Sequence, residues 1–299
     1  MNPKMQPKKE KRANDSRQRK LAMADKEKKK NKSPVELTIE RDKPLSDTHY
    51  ELNPLMIVHV GSHLIETTVA LADSAAGAWV RSTISELRLF RRGGPTVVSL
   101  CAFRGFPTGS RWNLKGPLSN PNHPSNPYRA IAICLGGSRV LFYELDTWYR
   151  KDPRSIIPRS LRDLLDNRKV VVVGWGITEM VKKLHYEWGL KVARPVDVRK
   201  VAAGTYGKDA VWWPKHEKGK VVMGGLGFEE LAELALDGMQ LEKKPAKVRE
   251  ANWGEIGVDG YYGNDDKEDL ELIKYATRDA FVTHQIATKC IGKSGLPQE

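Results

Sequence analysis

Residues 170–184 constrain the fold of this chain more than any other stretch. Four consecutive valines at positions 170–173 predict a strand buried on both faces, which is typical of a parallel sheet. Gly174 and Gly176 then allow a sharp turn, and Thr178 is placed to cap the helix that follows. Apolar residues recur on one face of that helix: Ile177, Met180, Val181, Leu184 and Trp188. Such a turn lies at the carboxyl edge of a sheet, where α/β proteins place their functional sites.

The remaining pattern alternates predicted strands and helices. Strands are predicted over residues 55–60, 63–70, 96–103, 130–135, 139–143 and 196–198, and helices over residues 74–89, 155–165, 227–236 and 268–291. Glycine turns join the first two of these strands, and also the fourth and fifth, into hairpins. Segments 207–220 and 254–266 are predicted insertions, and the long 105–127 loop is either mobile or functional. The order predicts an α/β fold, a mixed sheet flanked by helices.

The N-terminal segment carries most of the positive charge. Residues 1–34 hold thirteen Lys or Arg and four Asp or Glu, so they supply about +9 of the net charge of +13. Because the segment has no aromatic and few apolar residues, we expect residues 1–45 to form a disordered basic tail. Its lysine clusters suit a nuclear-import signal, a phosphate-binding arm or simply a solvated tail. A folded domain is predicted over residues 50–292, followed by a short tail at 293–299.

The sequence speaks against a membrane or secreted protein. No apolar run is long enough to span a bilayer, and the N-terminus lacks the apolar core of a secretory signal. Cys101, Cys134 and Cys290 are widely spaced, which gives neither a disulfide framework nor a zinc pattern. We therefore expect a protein of the nucleus, the cytoplasm or both, without a membrane partner.

Seven short motifs follow one another along the chain. They are Ile-Glu-Thr-Thr-Val at 65–69, Val-Gly-Trp-Gly-Ile at 173–177, Val-Lys-Lys-Leu at 181–184, Gly-Leu-Lys-Val at 189–192, Val-Asp at 196–197, Asn-Trp at 252–253 and Tyr-Ala-Thr-Arg-Asp-Ala-Phe at 275–281. Their order and spacing resemble the DEDD-type 3′-5′ exonuclease domain, and more narrowly the Werner-syndrome-type exonucleases of plants. The resemblance covers roughly residues 55–292 and implies an RNase H-like α/β domain. Asp197, near a helix start, and Asn252 with Trp253 are expected to be structural.

The resemblance also implies a particular chemistry. Exonucleases of this type hydrolyse a phosphodiester with two divalent cations, Mg²⁺ or Mn²⁺, about 3.5–4 Å apart. Four acids hold the ions: an Asp-x-Glu pair on the first core strand, an Asp in the strand–turn–helix unit and an Asp on the last helix. A Tyr four residues before the last Asp orients the attacking water. Such cations demand hard oxygen ligands.

Only the last-helix part of this pattern is kept in the sequence. Tyr275 and Asp279 match the tyrosine and the final acid on one helix face. Cys101 and Phe103 fall at the Asp-x-Glu positions, and Met180 falls at the acid of the strand–turn–helix unit. We therefore expect a degenerate site in which Asp279 alone could hold Mg²⁺ or Mn²⁺, and no tightly bound metal. A second interpretation of Tyr275 and Asp279 stays open, a packed ring and a capped or solvated acid.

The leading functional hypothesis is a nucleic-acid-binding protein that has lost efficient hydrolysis. Its ligand would be single-stranded nucleic acid or a 3′ end, of DNA or RNA. Phosphate contacts are expected from Arg111, Lys182, Lys183 and Arg278. Lys182 and Lys183 suit a solvated helix face equally well.

Two other functions compete with this hypothesis. One is an active exonuclease that recruits acids from elsewhere, such as Glu179 or Glu144, although Glu179 points roughly 100° away from Met180 on a helix. The other is a non-catalytic partner in a homo- or hetero-oligomer with related exonucleases. An exposed pair, Trp212 and Trp213, would then anchor the interface.

Overall fold

The computed structural model describes residues 33–41, 55–70, 72–90, 95–106, 119–145, 157–217, 220–253 and 267–295. Within these ranges the chain forms an eight-stranded sheet, a separate two-stranded hairpin and eight helices. No helix of the described ranges combines the length and the apolar character needed to cross a bilayer.

Ten strands make up the sheet and the hairpin. They are β1 Leu37–Arg41, β2 Leu55–Val60, β3 His63–Ala70, β4 Thr96–Arg104, β5 Tyr128–Leu135, β6 Arg139–Glu144, β7 Val170–Gly174, β8 Pro195–Asp197, β9 Trp212–Glu217 and β10 Lys220–Gly225. The large sheet has the order β1-β2-β3-β6-β5-β4-β7-β8, and β9 and β10 form the hairpin. Within β6-β5-β4-β7-β8 only β5 runs antiparallel to its neighbours. This mixed sheet, flanked by helices, confirms the predicted α/β, RNase H-like architecture.

Eight helices cover the two faces of the sheet. They are α1 Asp73–Leu87, α2 Arg159–Leu165, α3 Ile177–Trp188, α4 Val198–Tyr206, α5 Lys208–Val211, α6 Phe228–Ala235, α7 Ala246–Arg249 and α8 Lys267–Ser294. The buried faces of α4, α6 and α8 belong to one core layer, and those of α1, α2 and α3 belong to the other. Successive side chains of a strand point to opposite faces, so β4 contributes Leu100 to the second layer and Phe103 to the first.

The strand–turn–helix unit has the structure predicted for residues 170–184. The valines of β7 are buried and alternate between the two core layers. Gly174 ends the strand where a side chain has no room, because a Cβ there would lie 2.6 Å from the Leu100 carbonyl oxygen. Gly176 has a left-handed φ of 61°, and α3 begins at the next residue. The predicted cap is wrong: Thr178 lies inside α3 and is exposed, and Gly176 holds the N-terminal position without a side-chain hydrogen bond.

Strand β1 corrects the predicted extent of the disordered tail. We expected disorder as far as residue 45, but β1 pairs antiparallel with β2 and brings Leu37 and Ile39 against the core. At the other end of the domain, α8 continues to Ser294, beyond the predicted boundary at residue 292. The predicted insertion at 207–220 contains α5 and β9, whereas residues 1–32 and 254–266 lie outside the described ranges.

The two glycines of the turn should respond differently to substitution. Gly174→Ala forces a Cβ against backbone that cannot rotate away, so we expect it to lower the free energy of unfolding by about 3 kcal/mol. Gly176→Ala meets no atom within 4 Å and suffers only from its left-handed φ, an effect of about 1 kcal/mol. Chemical denaturation of both variants measures the difference. Equal losses would contradict the tight packing of β7 against β4.

A buried histidine should make stability depend on pH. His284 in α8 is 6% exposed, and burial lowers its pKa to about 4, against the smaller effect of a hydrogen bond with the Val97 backbone. As the pH falls below 6.5, His284 is protonated in the unfolded chain but stays neutral in the folded chain. The stabilisation due to the neutral imidazole is therefore present above pH 6.5 and is lost as the pH falls towards 4.

We therefore compare the wild type with His284→Gln, whose amide can also donate to Val97. The stability difference, wild type minus variant, should shrink by about 2 kcal/mol between pH 7 and pH 4.5. Denaturation curves at several pH values measure this difference. Parallel pH profiles for the two proteins would rule out the buried neutral imidazole as the source.

Candidate functional site

A cavity of about 440 Å³ lies at the carboxyl ends of β4 and β7. These strands are parallel neighbours, so their ends meet at one edge of the sheet. Helices α3, α6, α7 and α8 and the segment between α6 and α7 complete the walls. The lining residues are Cys101, Ala102, Phe103, Trp175, Met180, Phe228, Glu229, Lys243, Lys244, Arg249, Asp279 and Thr283.

All four positions at which the resemblance expects metal-binding acids line this one cavity. Cys101 and Phe103 come from β4, Met180 from α3 and Asp279 from α8. The fold therefore brings together residues that lie far apart in the sequence. Among the four, Asp279 is the one carboxylate.

The Asp279 carboxylate is held between two cations. Arg278 donates to Oδ1 from Nε at 3.0 Å and from Nη2 at 2.8 Å. Lys244 forms an ion pair with Oδ2. The side chain of Asp279 is only 12% exposed, so these contacts compensate a carboxylate that has lost most of its water. Both carboxylate oxygens are engaged by the protein itself.

Arg278 is a structural residue, which corrects the prediction that it contacts nucleic acid. Its side chain is 1% exposed and leaves no surface for a phosphate. Its Nη1 donates to the Glu242 carbonyl oxygen at 2.6 Å, and its guanidinium lies 4.8 Å from the centre of the Tyr275 ring. Tyr275 is also buried, and burial is the main cause that raises the pKa of its phenol. The Tyr275 ring thus packs beneath Arg278, and Tyr275 is not among the residues that line the cavity.

The residues around the cavity do not fit a two-metal centre. Burial, with the nearby Asp279 charge, raises the pKa of Cys101 to about 12, so its thiol stays protonated at neutral pH. The Phe103 ring stacks on Trp253 at 4.0 Å and, like the thioether of Met180, offers no hard oxygen. Within the described part of the chain, no three His, Cys, Asp or Glu side chains are grouped closely enough to hold a metal. Trp253 packs in the core as expected.

Glu179 and Glu144, the two acids suggested as recruits for an active enzyme, lie away from the cavity. Glu179 is exposed on α3 and forms an ion pair with Lys182 at 2.8 Å. Glu144 is the last residue of β6, opposite Ala130 of β5, and is not a lining residue. Neither side chain contributes to the cavity wall.

Lys182 and Lys183, two of the predicted phosphate contacts, do not line the cavity. Lys182 is a solvated residue of α3 that pairs with Glu179. Lys183 donates to the Pro124 carbonyl oxygen at 2.9 Å and pairs with Glu187 at 3.0 Å, so it joins α3 to the segment before β5. Arg111 lies outside the described residues.

An aromatic wall borders the cavity beside the glycine turn. The Trp175 ring meets Phe228 edge-on at 5.8 Å, and both line the cavity. The Arg199 guanidinium lies between two indoles, 4.7 Å from the Trp175 ring centre and 5.0 Å from that of Trp212. Trp212 is therefore half-buried, which corrects the expectation of an exposed pair; Trp213 is half-buried as well.

Asp197 supports this wall from behind. It caps α4 by accepting from the Arg199 backbone nitrogen at 2.9 Å, as its predicted position near a helix start requires. Its carboxylate also binds the Arg199 side chain at 3.0 and 2.9 Å and accepts from the Gly176 backbone nitrogen at 3.0 Å. One buried acid thus fixes both the glycine turn and the arginine behind Trp175.

Several cavity residues had no predicted role. Lys243, Lys244 and Arg249 lie in and after an irregular segment where no periodic pattern assigns a direction to a side chain. Trp175 is the exception, because its position between the two glycines of the turn already indicates that it lies at the carboxyl edge of the sheet. Phe228 and its neighbour Glu229 were placed only in a predicted helix.

The solved structures that resemble this chain include exonuclease domains. They include Escherichia coli RNase D, an exoribonuclease, at 12% identity and a TM-score of 0.45, covering 76% of this chain and 44% of that one. The Trypanosoma brucei RNase D:GMP complex matches at 11% and 0.47, covering 77% and 58%. The Aedes aegypti Nibbler EXO domain matches at 14% and 0.46, covering 75% and 88%.

These similarities concern overall shape. This chain spans about half of the length of the two RNase D structures. The sequence matches no protein-family model, and comparison with curated proteins gives no match. With TM-scores below 0.5, the likenesses do not identify the chain, and its fold class follows from the order of its mixed sheet.

The pairing at Asp279 should be important for stability. Asp279→Ala leaves the buried Arg278 without its main partner, so we expect the free energy of unfolding to fall by about 3 kcal/mol. Glu229→Gln is the matched control, because the Glu229 carboxylate is 3.9 Å from Arg278 and one-third exposed; its effect should stay below about 1 kcal/mol. Denaturant titration compares the two. A loss at Asp279 no larger than at Glu229 would contradict the structural role.

Proposed function

We propose that this chain is a nucleic-acid-binding protein built on a 3′-5′ exonuclease-type domain that has lost metal-dependent hydrolysis. The observation that carries the proposal is the state of Asp279. It is the single carboxylate among the four expected positions, and Lys244 and Arg278 occupy its two oxygens. The narrower relationship to Werner-syndrome-type exonucleases rests on the sequence motifs.

The donor set explains why hydrolysis is not expected. A two-metal mechanism uses carboxylates to hold cations that activate water and stabilise the leaving oxygen. A protonated thiol, a phenyl ring and a thioether cannot hold such cations. Neither Glu179 nor Glu144 lines the cavity to replace the missing acids.

The same substitutions favour binding of a polyanion. Replacing acids with Cys101, Phe103 and Met180 removes negative charge that would repel a phosphate. Lys243, Lys244 and Arg249 line the cavity, where Glu229 and Asp279 are the two acids. Basic side chains beside aromatic rings are the usual means of holding single-stranded nucleic acid without sequence preference.

The decisive experiment separates binding from hydrolysis. The purified full chain is incubated with a 5′-labelled single-stranded oligonucleotide that has a free 3′ end, in Mg²⁺, Mn²⁺ or EDTA. We expect no trimming with either metal, and binding in EDTA at least as strong as with either metal. Trimming that disappears in a variant lacking the Asp279 carboxylate would show that the site is active and would overturn the proposal.

Salt provides a second measurement on the same complex. Three phosphate contacts by Lys243, Lys244 and Arg249 predict that log K falls with log salt concentration with a slope of about −2, before any contribution from the tail. If the tail also contacts phosphate, the chain that lacks residues 1–34 should show a shallower slope than the intact chain. Binding that is independent of salt in both proteins would contradict an electrostatic interface.

A further inference from the structure

We infer that Lys244 takes the place of a divalent cation, so that the cavity binds the phosphate group of a nucleotide directly and without metal. This inference rests on the proposed function, since it specifies what the cavity of a nucleic-acid-binding domain holds. The ligand class is a nucleoside monophosphate, free or at the end of a strand. Nothing in this binding involves a bond being made or broken.

The position of the Lys244 ammonium supports the substitution. It forms its ion pair with Asp279 Oδ2, the acid that the exonuclease pattern assigns to a metal. It also lies 6.0 Å from the centre of the Phe103 ring, at another of the four expected metal positions. An ammonium group therefore sits among the former ligand positions, where it supplies the positive charge.

The ammonium has donors to spare for a ligand. A lysine carries three N–H donors, and the bond to one carboxylate oxygen uses one of them. Its side chain is 23% exposed and lines the cavity, so the remaining donors have access to it. Arg278 already compensates the Asp279 charge from the buried side, which leaves the Lys244 charge available to an incoming anion.

The charge balance around Lys244 favours an anion. Lys243 and Arg249 line the same cavity and are exposed. Glu229 contributes a negative charge to the cavity wall, but its carboxylate lies 3.9 Å from the Arg278 guanidinium, which partly offsets that charge. Three cationic side chains and two carboxylates therefore line the space, and the buried Arg278 lies behind Asp279.

The aromatic wall is suited to the base of the same nucleotide. Trp175 and Phe228 line the cavity beside the cationic side chains. Arg199 occupies one face of Trp175 and holds the ring in place. The volume of about 440 Å³ lies in the range of roughly 300–1,000 Å³ typical of small-molecule sites.

This arrangement also accounts for the three neutral residues. A metal needs several hard oxygen ligands, whereas an ammonium is attached to the chain and needs only one partner. Once Lys244 supplies the charge, Cys101, Phe103 and Met180 are free to pack as apolar side chains. The absence of acids at these three positions then follows from the presence of Lys244, because a site charged by lysine does not require them.

The test is calorimetry of the full chain with guanosine 5′-monophosphate, guanosine and inorganic phosphate, in EDTA at low salt. We expect the monophosphate to bind at least about tenfold more tightly than guanosine or inorganic phosphate, and Mg²⁺ or Mn²⁺ to leave its affinity unchanged. Lys244→Met should weaken it about tenfold, because one charge-assisted hydrogen bond is lost. Lys244→Arg, which keeps the positive charge and N–H donors, should retain most of the affinity for the monophosphate.

Lys169→Met is the matched control. Lys169 is exposed and precedes β7, at the end of the strand opposite Trp175, so its removal changes the net charge equally without touching the cavity. Circular dichroism confirms that each variant is folded, and Lys244→Gln, which also lacks the positive charge, takes the place of Lys244→Met if that variant does not fold.

Four outcomes would overturn the inference: monophosphate binding that requires a metal, equal binding of guanosine, equal effects of Lys244→Met and Lys169→Met, or an oligonucleotide complex without any monophosphate binding. In the last case the proposed function survives and only the role of the cavity is rejected. Failure to bind the oligonucleotide as well would reject both.

Discussion

The cavity depends on a buried carboxylate shared by two cations. A charge removed from water must be compensated nearby, and at Asp279 the compensation comes from Arg278 on one oxygen and Lys244 on the other. Arg278 also binds the Glu242 carbonyl oxygen, so the segment that carries Lys243 and Lys244 is attached to α8. One electrostatic arrangement therefore sets the composition of the cavity and the position of its cationic wall.

The scaffold around this arrangement does not need a metal to hold it. Helix α8 is docked on the sheet by apolar packing and by contacts such as Ser99 Oγ, which donates to the Ala280 carbonyl oxygen at 2.6 Å. Phe103, at an expected acid position, stacks on Trp253 and contributes to the core instead of coordinating an ion. In a site of acids, the repulsion between carboxylates is relieved by bound cations. Among the four expected positions only Asp279 is charged, so this repulsion does not arise between them, and apolar packing holds the strand and the helix together.

The sequence predicted the features that have a period and missed those that depend on distant partners. Uninterrupted valines and helical spacing predicted β7 and α3. The family resemblance predicted that Met180 and Asp279 lie in one site, and both line the cavity. Strand β1 was missed because its Thr and Glu residues resemble the polar tail, and its strand character comes from pairing with β2. Thr178 is a common capping residue type, but the turn requires a left-handed φ that glycine adopts readily, so the N-cap position falls at Gly176. Lys244 lies in an irregular segment, where only the folded chain determines which side chain meets Asp279.

A lysine in place of a metal, as we infer for this cavity, would change what the site can do in two opposite ways. An ammonium cannot be removed by a chelator, so the positive charge that attracts a phosphate is permanent and depends only on the chain and on the ionic strength. The same group has no vacant coordination position, so it cannot lower the pKa of a bound water or polarise a phosphoryl oxygen as a divalent cation does. Under the proposed function, the same substitution would favour binding and remove hydrolysis. We therefore infer that Lys244, Asp279 and Arg278 suit this cavity to holding a phosphate ligand intact rather than to cleaving it.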